Sequence, residues 1–322
     1  MAEKIRQHWF LLSLALVFAA VVADSSGSVA FLGKMLNSLH GPDIVIFTIF
    51  FISGLIIETS QIRDGIKDAR ATLAALSVIV LVSPAAAFAL SFFSPEQGVL
   101  IGLFIVSVMP TTLSSGIVMT GRAGGNMAHA LCVTIFSNII SIVSIPFVLS
   151  LLLPLVSQSK DLSIDRGMIM LRLCFLVLLP LITGLLVKRF ALNGHVARKV
   201  VLQNINQVLV VLIVFMAASK VKNVLGGSTD GFFLIVLYTA VFHLVLLSAS
   251  FAAAKGLAIQ GSRNRSVIFM GSQKTLPLSV IIQMTYFPAF STALLVCVVH
   301  HFVHLFIDGY LAVKLSKSEE FK

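Results

Sequence analysis

The segments Met109-Pro110-Thr111-Thr112-Leu113-Ser114-Ser115-Gly116 and Gly271-Ser272-Gln273-Lys274-Thr275-Leu276-Pro277 lie about 160 residues apart in a chain of 322. Each places proline, glycine and hydroxyl side chains inside an otherwise apolar run. Proline removes one backbone N–H and clashes with the preceding turn, so a helix breaks or kinks there. Broken backbone at membrane depth is tolerated only where protein buries it or a polar cavity receives it. A matched pair of interrupted spans, one in each half of a chain, points to the binding site of a transporter. Two unrelated proline kinks are the plainer explanation, against which stand the pairing, the equivalent positions and the polar content.

The flanking sequence supplies the membrane. Apolar residues make up 58% of the chain and charged ones 11%, against about 25% charged in an ordinary soluble domain. Apolar runs of about 20 residues recur along nearly the whole length, more than one buried core can hide. They lack the two-residue alternation of a transmembrane barrel. The fold class is therefore all-α, a polytopic membrane protein. Ten transmembrane helices are predicted at His8–Ala23, Asp43–Glu58, Ala71–Phe93, Gly98–Thr120 and Asn126–Leu153, then at Gly167–Lys188, Val200–Ser219, Gly231–Ala254, Arg265–Phe287 and Pro288–Val313. The connections are short, so residues 1–322 read as a single transmembrane transporter domain. Ten spans divide into halves 1–158 and 159–322, and an odd number per half turns the halves opposite ways, giving a five-plus-five inverted repeat.

A net charge of +10 in a membrane protein speaks first of orientation, not of nucleic acid. Basic loops stay cytoplasmic. Counted alternately from the N-terminus, one side holds sixteen of the 23 basic residues and the other only Lys34, Lys160, Arg166, Lys220 and Lys222, with Arg172 and Lys274 inside spans. Both termini are expected in the cytoplasm and the chain in a plasma (bacterial inner) membrane. Lys4, Arg6 and the run Trp9–Ala23, ending Val21-Val22-Ala23, also resemble a cleavable signal; retention is preferred because it completes the repeat. Cys132, Cys174 and Cys297 each lie in an apolar run, which argues against a disulfide framework or a zinc site.

Lys274 is the most informative residue. A lysine near the middle of a span costs about 2.5–3.5 kcal/mol on insertion scales. Its ammonium either snorkels to an interface, meets carbonyls freed by Pro110 and Pro277, or meets an anionic substrate. The acids fall at span ends or in loops, with Asp308 placed in the last turns of span ten. A sodium site would then rest on neutral oxygens, a weak set for a hard cation, and a central positive charge suits an organic anion better. Thr111, Thr112, Ser114, Ser115 and Ser272, with Thr275, Gln273, Thr134 and Asn138, are the candidate substrate- or ion-binding residues. Ser and Thr often only bond back to their own helix, whereas the Asn138 amide is harder to satisfy locally.

His300, His304 and Asp308 repeat every four residues on span ten. The stripe is either a proton relay, since histidine titrates near neutrality, or a hydrogen-bonded packing face. Its HxxxH spacing matches an intramembrane metalloprotease motif, but His301 stands where the glutamate base belongs; no metal is assigned. His129 and His243 stand alone and read as structural. Gln203-Asn204-Ile205-Asn206-Gln207 opens span seven, at the interface or lining a watery vestibule. No nucleotide-binding glycine loop appears, which points to secondary rather than ATP-driven transport and away from an enzyme.

The ten spans, the repeat and the segments VMPTTLSSGIVMTGRAGGNMAHAL from Val108 and GSQKTLPLS from Gly271 resemble the bile acid:sodium symporter family, most of all its sodium/bile acid cotransporter 7-like branch. The resemblance implies a panel domain of spans one, two, six and seven and a core domain of the rest. Helices four and nine would be broken and cross at mid-membrane, and organic anions would move by motion of core against panel. It puts the family's sodium-site oxygens near Ser114, Ser115, Thr134 and Gln273. Phe269 replaces its sodium-binding glutamate, Ala130 a serine, Ile79 a glutamine, and Lys274 a neutral amide. The Lys274 ammonium is thus expected to replace a sodium ion. The expected function is secondary active transport of a small organic anion by alternating access, with sodium or a proton as coupling ion and no cofactor. The alternatives are a non-transporting channel-like or regulatory membrane protein, or an intramembrane metalloenzyme. The expected partners are the substrate and the lipid bilayer.

Overall fold

A computed structural model describes residues 2–57, 68–93, 96–155, 164–192, 196, 198–225 and 229–317, and every regular element among them is helical. The boundary between the two proposed halves lies outside the described residues. So do the loop charges Arg63, Lys67, Lys160 and Lys322 and the acids Glu58, Asp64, Asp161, Glu319 and Glu320.

The chain opens with α1 (Ala2–Ala23). Asp24 then accepts hydrogen bonds from Ser26 Oγ and the Ala30 N–H, turning the chain by 111° into α2 (Ser28–Ser38). The same two donors hold the Asp24 carboxyl well below the usual carboxylate range. By sequence alone this stretch is a connection between the first two spans. It is helical because Ala30 and Gly33 bury against α9 (Lys199–Leu225), whose Ser219 side chain leaves no room for a Cβ at Gly33, while Phe31 and Leu32 stay exposed. α3 (Gly41–Ile56) follows, with Pro42 in its first turn, where a missing N–H costs nothing.

α4 (Ala69–Ser91) and α8 (Arg166–Phe190) each contain a π turn, at Val78–Val82 and Cys174–Leu178, two residues ahead of Pro84 and Pro180. In α4 the Ser83 N–H reaches back five residues to the Val78 carbonyl. Pro84 has no N–H to offer. The Ile79 carbonyl is therefore released from the helix ladder.

Between them run α5 (Gln97–Ser107), α6 (Ser115–Arg122) and α7 (Met127–Leu152). After α9 come α10 (Thr229–Gly256), α11 (Ser262–Ser272), α12 (Leu276–Tyr286) and α13 (Ser291–Lys317). Among the described residues, six helices (α4, α7, α8, α9, α10 and α13) are long and apolar enough to cross a membrane, seven if the bent α1–α2 pair counts as one. The chain is a multi-span membrane protein. The length criterion stops short of ten because α3 has 16 residues and the segments α5–α6 and α11–α12 are split into halves of eight to eleven.

Two packing groups emerge. α3 lies along α8, and α9 packs on α1, α2 and α3. Gly54 and Gly184 let α3 and α8 touch backbone to backbone, for a Cβ on Gly54 would sit 2.3 Å from the Leu181 oxygen. In the other group α11 packs on α10, α4, α6 and α7, and α13 on α5 and α10.

Candidate functional site

The two interrupted segments meet. α5 ends at Ser107 and α6 starts at Ser115; α11 ends at Ser272 and α12 starts at Leu276. The Thr275 N–H donates to the Pro110 carbonyl at 2.9 Å, tying one break to the other.

Lys274 sits in the second break with 1% of its surface exposed. Its Nζ donates to the carbonyls of Ile79 (3.1 Å), Ser107 (3.0 Å) and Met109 (3.0 Å). Three donors meet three acceptors, so the ammonium is satisfied. Each acceptor has a local origin: Ile79 is freed by the π turn before Pro84, and Ser107 and Met109 by the end of α5 before Pro110. Ser107 O also accepts from Ser83 Oγ at 2.7 Å. A cation at the C-terminal end of α5 further benefits from that helix dipole. Of the three fates open to the ammonium, meeting carbonyls freed at Pro110 is the one realised, with Ile79 in place of a carbonyl near Pro277.

Gln273 is engaged at both ends of its amide. Oε1 accepts from Thr112 Oγ1 (2.8 Å) and Ser115 Oγ (3.2 Å), while Nε2 donates to Asp308 Oδ2 (2.7 Å). Asp308 is fully buried at the break, a correction to its placement in the last turns of span ten. The reason is length: α13 continues to Lys317, which carries Asp308 deeper than a span ending at Val313 allows. His243, read as structural and alone, instead bonds Asp308 Oδ1 at 2.9 Å.

A cavity of about 300 Å³ is lined by Trp9, Ser53, Leu113, Ser114, Gln203, Asn204, Asn206 and Gln207, among others. A smaller one of about 30 Å³ shares Leu113, Ser114 and Asn206 with it and reaches Thr112, Ser115, Thr275, Pro277 and His301, room for a water or two. The span-seven amide cluster thus lines a vestibule. Among the described residues, no Asp, Glu, Lys or Arg lines either cavity. The first turns of α6 and α12 both open onto the smaller one; neither Ser114 nor Thr275 caps its helix with its own side chain, and in α6 the Gly116 N–H donates to Thr112 Oγ1 at 2.8 Å.

The candidate residues separate by place. Thr112, Ser114, Ser115 and Thr275 line the smaller cavity, and Gln273 stands directly behind them. Lys274 faces the carbonyls and lines neither cavity. Ser272 Oγ bonds back to the Ile268 carbonyl and Thr134 Oγ1 to that of Ala130. Asn138 Nδ2 does likewise with Thr134, which leaves its buried Oδ1 unpartnered, as is Thr111 Oγ1. His304 pairs with His301 at 2.9 Å, whereas His300 Nε2 has no partner. Trp9, Asn206 and His301 were not among the predicted site residues. Only the amide cluster offered a signal for one of them. His129 is a packing residue, held by Ser266 Oγ and Thr72 Oγ1.

A family model described as SBF-like CPA transporter matches residues 8–317. The chain is 32% identical over 279 residues to the probable sodium/metabolite cotransporter BASS4, chloroplastic, of Arabidopsis thaliana, a match spanning 82% of this chain and 63% of that protein. It is 25% identical over 286 residues to sodium/bile acid cotransporter 7-A of Xenopus laevis (86% of this chain, 82% of that protein) and 24% identical to the Mus musculus sodium/bile acid cotransporter 7 over the same shares. These relatives are named for transport and none for an enzymatic reaction. With the interrupted pair at its centre and a match over nearly its whole length, the chain belongs to the SBF-like CPA transporter family, within the bile acid:sodium symporters.

Proposed function

We propose that the protein is a secondary active transporter of a small organic anion. The observation that carries this reading is the convergence of two half-helix N-termini on a hydroxyl-bearing pocket that adjoins the cavity of about 300 Å³ through Leu113, Ser114 and Asn206, with no carboxylate among the described lining residues. Helix N-termini carry a partial positive charge, which suits an anion even where, as at Gly116, a side chain already takes one of the free N–H groups. Broken helices around a midplane site are the recurring transporter solution. The anion is thus drawn by the ends of α6 and α12, and the Lys274 ammonium acts elsewhere.

Lys274 replaces a coupling cation. Its three carbonyl partners form a set that a hard cation would otherwise need, and they cluster at a half-helix C-terminus, where transporters hold cations. The Gln273 oxygen is already engaged by two hydroxyls, and Phe269 occupies the position of the family's sodium-binding glutamate. These residues do not fit that sodium site, and transport is sodium-independent.

Ten spans follow when α3, α5–α6 and α11–α12 are each counted as one, arranged as a five-plus-five inverted repeat. α1, α2, α3, α8 and α9 are the panel and the remaining helices the core. The cavities lie at the seam, lined from α1, α3 and α9 on one side and from α6, α7, α12 and α13 on the other, as rocking of core against panel requires. Both termini are cytoplasmic in a plasma membrane. The pairs Asp24–Lys222, Asp43–Arg172 and Asp68–Arg263 each join ends that the charge bias puts on one side.

Trp9 is the only tryptophan and lines the larger cavity, so its fluorescence reports occupancy. Titration of purified protein with bile acids and smaller carboxylates should give saturable quenching, and the same anion should show counterflow in proteoliposomes. A channel-like protein would conduct without saturable counterflow, and that outcome would sink the carrier reading.

A further inference from the structure

Behind the smaller cavity lies a buried polar array that anion binding does not use. His301 lines the cavity with an unpartnered Nε2. Its Nδ1 is 2.9 Å from His304 Nε2, and His304 Nδ1 is 3.8 Å from Asp308 Oδ2. Asp308 accepts from His243 and Gln273. His243, His304 and Asp308 are fully buried and His301 is 4% exposed.

We propose that this array binds the proton that couples to anion transport, an inference that rests on the carrier reading above. The carboxylate needs donors. The neutral arrangement that supplies them has His243 Nε2–H donating to Oδ1 and His304 Nδ1–H facing Oδ2, with His301 Nδ1–H donating to His304 Nε2. His301 Nε2 is then a bare, buried lone pair on a side chain that lines the cavity. A hydronium in the cavity gives its proton to that nitrogen, forming one N–H bond. The Nδ1–H bond of His301 breaks and an N–H bond forms on His304 Nε2. The result is a His304 imidazolium paired with the Asp308 carboxylate, and one water is left behind. His304 Nδ1 then has reason to close the 3.8 Å gap, because a charge-assisted bond is shorter and stronger than a neutral one.

The link to the anion runs through Gln273. Its Nε2 touches Asp308 and its Oε1 touches the cavity hydroxyls of Thr112 and Ser115, so the charge at Asp308 polarises the groups that meet the substrate. One added positive charge beside the cavity favours an anion in it, and by reciprocity the anion favours the proton. The other groups facing the array are His243 on α10, Lys274 at the break and His300 on α13 itself, whose ring centroid is 5.3 Å from that of His304. Of the elements packed on α13, α5 carries no ionisable side chain. α6 carries only Arg122 in its last turn, α12 only Tyr286 at its end, and α9 only Lys199, Lys220 and Lys222 near its ends.

The test is the full-length protein with nitrogen-15 histidine, followed by NMR from about pH 8 to about pH 5, the range in which histidine titrates. A buried imidazole should become imidazolium in the wild type, with the transition lost in His304→Gln and shifted in Asp308→Asn, which keeps the shape of the side chain. Absence of any buried titrating imidazole overturns the proposal, whatever the transport result. Trp9 quenching by taurocholate, whose sulfonate stays ionised throughout, should show affinity rising by up to about tenfold per pH unit lowered above the histidine transition and levelling off below it, as one linked proton requires, and flat in His301→Gln. PH-independent taurocholate binding in the wild type would overturn the coupling. An intact histidine titration with no organic anion bound would instead overturn the carrier reading and leave the proton site standing.

Discussion

At the scale of single residues, Lys274 and its carbonyls explain how a charge is tolerated in the core of a membrane protein. Removing the donor from a buried hydrogen-bonded set costs about 1–3 kcal/mol for an acceptor left unsatisfied. Lys274→Met keeps the length of the side chain and removes the donors from three carbonyls, so it should destabilise the protein by on the order of 3 kcal/mol, read by thermal melting in detergent. An unchanged melting temperature would mean that water takes over the three carbonyls. The lysine was legible in the sequence as a charge too deep to ignore. Its partners were not, because backbone carbonyls carry no residue signature, and Ile79 lies 195 positions away. Asp308 was legible as part of a stripe with His300 and His304, but its depth was not. A helix end misjudged by four residues moves a side chain by about 6 Å along the axis.

At the scale of elements, prolines build the site by withholding donors. Pro110 and Pro277 mark the two breaks, and the sequence alone locates both. Pro84 acts less visibly: with the Ser83 N–H turned to Val78, it leaves Ile79 O to the lysine. A proline-to-alanine change inside a helix ordinarily restores a hydrogen bond and stabilises, by up to about 3 kcal/mol. Pro84→Ala should behave the other way. The π turn can then close to a regular helix, Ser83 N–H returns to Ile79 O, and the ammonium loses a partner, at a cost of about 1 kcal/mol. A higher melting temperature in this variant would refute the role given to the π turn. Neither π turn was expected from the sequence, since a proline two residues on predicts a kink but not which carbonyl it frees. α2 was missed for a related reason: an eleven-residue helix with two buried small residues has too short an apolar period to stand out.

At the scale of the whole molecule, the membrane class and the two interrupted segments were legible because composition and proline placement are local signals. The seam between the packing groups was not legible, since which helix lies beside which depends on contacts far apart in sequence. Asp24 on the α1–α2 bend with Lys222 on α9, and Asp68 before α4 with Arg263 on α11, pin opposite ends of the molecule. On the proposed orientation a green fluorescent protein fused after α13 fluoresces, whereas periplasmic alkaline phosphatase at the same point is inactive. The reverse pattern would invert the topology and put the larger cavity on the outer side. The Asp24 carboxyl, held below the ordinary carboxylate range, supports the bend at neutral pH, and that support fades only as acid protonates it.

The replacement of a mobile cation by a tethered one is tested most directly by melting wild-type and Lys274→Ala protein in sodium chloride and in choline chloride. Alanine leaves three carbonyls facing an open space that a sodium ion can enter, and an ion that binds only the folded state raises its stability. The wild type should melt at the same temperature in both salts, and Lys274→Ala should regain several degrees in sodium alone. Sodium stabilisation of the wild type, lost in Lys274→Ala, would contradict the assignment.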